Sequence, residues 1–136
     1  MAKAASVQTD KTWSDPISIP EFIALRHEEV LYLTTVGRKS GKPRTIEVWF
    51  VRNGGRLYLF AEHGVKAQWV RNIQANSEVW IQIAQYCFGA CGRILDDARD
   101  RQEWQIITAL ARRKYGWGDG LPLAFDACQE QVRGNT

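Results

Sequence analysis

The chain has little of what would mark a membrane span, a disulfide scaffold or a metal cage. No apolar stretch approaches the ~18 residues needed to cross a bilayer. The N-terminal "MAKAASVQTD" carries one lysine without the continuous hydrophobic region of a signal peptide. These two absences lead to the expectation of a soluble, cytoplasmic protein with no integral membrane segment. The three cysteines, Cys87, Cys91 and Cys128, are odd in number and lack CxxC or CxxH spacing, so they read as small apolar side chains rather than as a disulfide framework or a closed zinc site. His27 and His63 stand far apart without a Cys and Asp set around them, and no catalytic zinc or other metal is expected. Asp96, Asp97 and Asp100 read as the end of a strand and the start of a helix. No GxGxxG joins a strand to a helix, and the spaced glycines of "GWGDG" follow a helix, which argues against a Rossmann fold. There is no internal repeat and no sign of a second domain.

What is present suits one core. At 136 residues, with 45% hydrophobic residues and six tryptophans, a single domain can bury roughly 65–70% of the surface its unfolded chain exposes. We assign residues 1–13 to a flexible leader, 14–132 to the domain and 133–136 to a tail. The net charge of +3 is a mild bias toward anionic partners, but the 15 acidic residues are spread widely. A nucleic-acid module concentrates its basic surface and exposes stacking aromatics, so no nucleic-acid partner is expected.

Local patterns give the element order. "SIPEFIALRHEEV" predicts a short helix, with Ser18 as a cap. "VLYLTTV", "RTIEVWFV" and "RLYLFA" are rich in branched and aromatic residues and predict three consecutive antiparallel strands, with Asn53, Gly54 and Gly55 in a tight turn. Val65, Trp69 and Ile73 lie four apart and predict one buried stripe of a helix. "EVWIQIA" and "FGACGRIL" resume strand patterns, the second with Gly89 and Gly92 permitting bending or close approach. "RDRQEWQIITALARRKYGW" predicts a second helix that buries Trp104, Ile107 and Ala111 and stops at Gly116. "GDGLPLAFDACQEQV" is too mixed for an assignment, although Leu121, Leu123 and Phe125 suit a core or a neighbouring subunit. The order favours a mainly β fold, a small antiparallel barrel with helical covers.

The densest chemistry lies in "LTTVGRKSGKPRTIEVWF", which packs Arg38, Lys39, Lys42 and Arg44 between two apolar runs. A turn there brings some of these charges to one phosphate or carboxylate, with Ser40 adding a hydroxyl and Gly41 allowing close backbone approach. A solvated, solubilising turn has the same materials, and the residues alone leave both readings open. Lys66, Trp69, Arg71 and Asn72 follow "AEHG" at a helix start, whose backbone donors suit the same anion. Trp69 serves equally as a core anchor or as a wall beside a planar ligand.

Across residues 30 to 99, "LYLTTVGRKSGKPR", "VRNGGRLYLFAEHG" and "KAQWVRNIQANSEV" resemble the deazaflavin (F420)-dependent nitroreductase family, small split β-barrel proteins of FMN-binding-like architecture. "GRILDDARDRQEW" resembles that family's last barrel strand and the entry to its C-terminal helix. The resemblance implies that Arg38, Lys39, Ser40 and Gly41 approach the phosphate-bearing tail of F420, that Pro43 and Arg44 continue the match, and that Lys66, Trp69 and Asn72 surround the cofactor groove. It further implies that main-chain groups of Thr45, Ile46 and Glu62, His63 and Gly64 hold the deazaflavin ring. The implied activity is hydride transfer from reduced F420 to a small-molecule electron acceptor, a quinone, nitroaromatic or activated alkene. FMN is the alternative cofactor, and a flavin or deazaflavin carrier without substantial turnover the alternative role.

The chain departs from the family pattern at "RTIEVWF" and "FAEHG", which bring Glu47, Glu62 and His63 toward the groove and bear on ring contacts and on an acidic tail. Tyr115 is the first candidate proton donor and His63 the second, with Tyr115 also suited to sealing the helix against the barrel. Pairing into a homodimer through the apolar "LPLAF" is a further expectation.

Overall fold

A computed structural model describes residues 30–127. The leader, nearly all of the first helix and the tail expected from the sequence lie outside them. Six strands form a closed antiparallel barrel: β1 (Val30–Val36), β2 (Pro43–Asn53), β3 (Arg56–Ala61), β4 (Glu78–Ile83), β5 (Tyr86–Ile94) and β6 (Leu121–Ala127), in the spatial order β1-β2-β3-β6-β5-β4. A 3-10 turn (Gly64–Lys66) and helix α1 (Gln68–Ala75) connect β3 to β4, and helix α2 (Arg101–Tyr115) connects β5 to β6. This is the mainly β, helix-covered split barrel that the sequence implies. No helix among the described residues is long and apolar enough to cross a membrane.

Alternation explains the interior. Leu31 and Leu33 of β1, and Val79, Ile81 and Ile83 of β4, point inward and are fully buried while their neighbours face out. Val70 and Ile73 of α1 join this inner core. A second core lies outside the barrel wall, where Ile107 and Ala111 of α2 pack on Val51, Tyr58, Leu95 and Ala124, with Trp104 partly buried beside them. Gly116 ends α2 in the left-handed conformation, φ 75°, as the sequence predicts.

β2 changes partner halfway. It pairs with β1 along Pro43–Trp49 but with β3 only along Phe50–Asn53. Its other edge along Pro43–Trp49 therefore has no strand partner among the described residues, and the barrel wall is split there.

Four expectations need correction. Val65 is 52% exposed, because the 3-10 turn and an extended Ala67 break the helical phase between Val65 and Trp69. "GRIL" belongs to β5, which is not the last strand. The segment left unassigned after Gly116 supplies β6, which closes the barrel between β3 and β5. Leu123 and Phe125 are accordingly core residues and Leu121 is half-buried. Finally, Cys91 is disulfide-bonded, so the three cysteines are not all small apolar side chains.

A polar staple holds α2 to the wall. Arg56 of β3 donates to Asp126 of β6 at 2.7 Å and to Glu103 of α2 at 2.9 Å. Tyr58 also donates to Glu103, and Arg93 of β5 reaches Asp100 at 3.0 Å. Asp96 accepts from the N–H groups of Ala98 and Arg99, shaping the entry to α2. Desolvation alone would raise the Glu103 carboxyl, but the hydrogen bonds from Tyr58 and Arg56 outweigh it and hold the group below its ordinary value. A depressed carboxylate stabilises the fold above its unfolded-state pKa, and that stability is lost as pH falls through the folded-state value. The melting temperature should therefore drop on acidification below about pH 5. Thermal melts of Glu103→Gln should show a lower midpoint at neutral pH and a shallower acid slope; an acid slope equal to wild type would remove Glu103 from the staple.

Candidate functional site

The turn between β1 and β2 is built by its own backbone. Gly37 donates to Lys42 O and Gly41 to Gly37 O, both at 2.8 Å, and Ser40 Oγ accepts from Lys42 N–H at 3.1 Å. Gly41 has φ 72°, the left-handed region that costs glycine little. α1 then fastens the turn from below. Asn72 is only 4% exposed. Its amide nitrogen donates to Thr35 Oγ1 at 3.1 Å, which turns its oxygen toward Arg38. That oxygen accepts from both the Arg38 backbone N–H, at 3.2 Å, and the guanidinium Nη1, at 2.9 Å. Arg38 Nη2 donates to Gln68 Oε1 at 2.8 Å. The arginine is thus held in place before any ligand arrives, with further guanidinium N–H donors left over.

Two clefts meet along the split. The first, about 640 Å³, is lined by Arg38, Lys39, Ser40, Pro43, Arg44, Thr45 and Ile46, with Thr35 and Gly37 behind them and Gln68, Trp69 and Asn72 opposite. The second, about 540 Å³, runs along Ile46, Glu47, Val48 and Trp49 to Phe60, Glu62, His63, Ala67 and Trp117, and ends at Val30. Ile46 and Trp69 line both clefts, which makes one continuous groove. Side chains alternate along a strand, yet Pro43 to Trp49 line the groove without a gap. The backbone edge of β2 itself therefore forms the floor, offering peptide donors and acceptors. The first turn of α1 borders the groove as well. Its Ncap is Ala67, which has no side-chain oxygen to cap the helix, so first-turn N–H groups stay available to a ligand.

Most of the predicted site converges. Arg38, Lys39, Ser40, Pro43, Arg44, Thr45, Trp69 and Asn72 surround the first cleft, and Glu62 and His63 line the second. Gly41, Gly64 and Lys66 line neither; the two glycines set turns, at φ 72° and 60°, and Lys66 is exposed on the 3-10 turn. Trp69 combines the two roles left open for it, packing on the core and walling the groove. Sequence reasoning missed Gln68, Trp49 and Phe60. Trp49 was within reach: once Val48 and Phe50 are placed inside, period two puts Trp49 outside.

Tyr115 stands behind the second cleft. Its ring stacks on Trp49 at 4.4 Å, and Trp117 meets Trp49 edge-on at 5.9 Å. Its hydroxyl donates to Phe50 O at 2.8 Å and accepts from Phe50 N–H at 3.1 Å. Removing a hydroxyl engaged in two backbone hydrogen bonds costs about 1–3 kcal/mol. Tyr115→Phe should lower stability by that amount in denaturant melts, and an unchanged midpoint would mean that the two hydrogen bonds add nothing to the fold.

Residues 20–118 match the family model for F420H(2)-dependent quinone reductase. The chain belongs to that family. Over 90 residues it is 28% identical to the F420H(2)-dependent quinone reductase Rv1261c of Mycobacterium tuberculosis (strain ATCC 25618 / H37Rv), a match covering 62% of this chain and 60% of that relative. Among solved structures, the heme storage protein HutZ from Vibrio cholerae superposes with a TM-score of 0.64 at 22% identity, over 82% of this chain and 90% of that one. An F420-H2 dependent reductase, FDR-A, superposes with a TM-score of 0.57 at 23% identity, over 73% and 94%. Both structural likenesses speak for the barrel alone. For a member of the F420H(2)-dependent quinone reductase family, the basic turn, the open β2 edge and the uncapped α1 are the features of this chain that suit an acidic, ring-bearing cofactor.

Proposed function

We propose that the groove binds reduced F420 and that the protein passes a hydride from it to a quinone, a nitroaromatic or an activated alkene. The observation that carries this reading is the Arg38 anchor: a guanidinium fixed by Asn72 and Gln68 beside a strand edge that no described strand pairs with, within a chain of this family. Arg38, Lys39 and Arg44 neutralise the phosphate of the tail, and the Ser40 hydroxyl, whose oxygen already accepts from Lys42 N–H, keeps its proton to donate. The peptide groups of Thr45 and Ile46 would hydrogen-bond the ring, and Trp69 and Ile46, which line both clefts, would pack beside it. When bound, the reduced deazaflavin supplies the hydride. The acceptor enters the second cleft, where Trp49, Phe60 and Trp117 orient it and shed water. A hydride and one proton complete a two-electron reduction of a quinone to the hydroquinone. His63 stands at the cleft to hand over that proton, with its Nε2 3.9 Å from Glu62 Oε1.

Anaerobic titration with F420 and with FMN, followed by hydride-transfer assays on quinone, nitroaromatic and enone panels, tests the reading. F420 should bind saturably and more tightly than FMN, with affinity falling as salt rises. Preferential uptake of FMN would move the protein to the alternative cofactor, and binding without transfer would make it a carrier. Saturable binding of neither would reject the proposal.

A further inference from the structure

The two halves of the groove carry opposite charge. Lys39, Arg44 and Arg38 line the first cleft, whereas the second is bordered by Glu47 on β2 and Glu62 on the loop after β3, with no lysine or arginine in its lining among the described residues. Its walls are aromatic: Trp117 stands edge-on to both Trp49 and Phe60, at 5.9 Å and 6.5 Å between ring centres. We propose that the second cleft admits planar acceptors that are neutral or cationic and disfavours anionic ones, with Glu47 and Glu62 as the specificity-determining residues. As a statement about turnover, this rests on the function proposed above.

The physical argument has three parts. Flat aromatic walls favour a flat guest, and their faces attract a cation but not an anion. Two carboxylates bordering the cleft repel an anionic acceptor. Such an acceptor is drawn instead toward Arg38, Lys39 and Arg44, and when the cofactor tail occupies those residues no other lysine or arginine of the described residues lines the groove, only His63, which stands beside Glu62. The same polarity orients the cofactor, with its tail at the basic end and its ring toward the acidic one. Glu62 is largely exposed, with 75% of its side-chain surface accessible, and Glu47 is exposed as well. The discrimination is therefore modest and sensitive to salt.

Three naphthoquinones that share one ring and differ only at the end of a short arm, carboxylate, amide or trimethylammonium, test this in two ways. The first readout is quenching of the full chain's tryptophan fluorescence, with pyrophosphate present to fill the basic cleft. The second is kcat/KM under saturating reduced F420. Wild type should disfavour the carboxylate probe relative to the amide by about threefold to tenfold in both readouts at low salt. In the doubly substituted Glu47→Gln, Glu62→Gln protein the gap should close to within about twofold, and about 0.5 M salt should close it in wild type. An unchanged carboxylate-to-amide ratio in the double variant would overturn the inference. If none of the probes is reduced, the functional reading fails while the quenching ratios still decide the charge selectivity.

Discussion

Replacing Arg38 with alanine should weaken binding of reduced F420 by about 30- to 100-fold, the 2–3 kcal/mol expected for a charge-assisted hydrogen bond formed in a partly desolvated site. The size of the effect follows from the anchoring. Asn72 and Gln68 hold two of the guanidinium nitrogens, so the side chain has little freedom left to lose when the ligand arrives. Lysine restores the charge but has no planar fork to reach Asn72 and Gln68 together, and Arg38→Lys should recover only part of the loss. Anaerobic titration of the variants at several salt concentrations measures both the affinity and its salt slope. An Arg38→Ala protein with an intact circular dichroism spectrum and affinity within about threefold of wild type would show that the phosphate is gripped elsewhere.

Gly92→Ala should be the most damaging small substitution in the barrel. A Cβ there would lie 2.4 Å from Cε2 of Phe125 and 2.9 Å from its Cδ2. Phe125 of β6 is opposite Gly92 on β5 and opposite Leu57 on β3, and it is 1% exposed, so the ring has nowhere to retreat. Forcing one methyl into such a contact costs about 3 kcal/mol, the upper end for overpacking, and should lower the melting temperature by roughly 10 °C. Pairing it with Phe125→Leu, which makes room, should restore part of the loss and expose the coupling. A melting temperature within about 2 °C of wild type would mean that the strands at this crossing can spread. Gly92 lies outside both clefts, so ligand affinity of the folded protein should not follow the stability loss.

What the sequence disclosed depended on how many faces of an element are buried. β1 and β4 alternate cleanly because one face looks inward and the other to solvent, and their limits were legible. β6 is covered on both sides: Leu123 and Phe125 face the barrel interior while Ala124 lies under α2. Such a strand loses its period, and Pro122 and the flanking glycines hid it further. The basic turn was legible from its charges and its resemblance to a family. Its mechanical support was not, because Gln68 and Asn72, the latter oriented by Thr35, meet Arg38 only once α1 is laid against the end of β1. The aromatic wall was hidden for a similar reason, since it joins Trp49 of β2 to Tyr115 and Trp117 from the far end of α2.

The change of partner along β2 has a thermodynamic consequence. No strand among the described residues pairs with the peptide groups of Pro43–Trp49 on the groove side, and an occupant that hydrogen-bonds to them stands in for a missing strand. Occupancy and rigidity are then two aspects of one equilibrium. Loading the groove should slow amide exchange along this stretch more than anywhere else in the barrel.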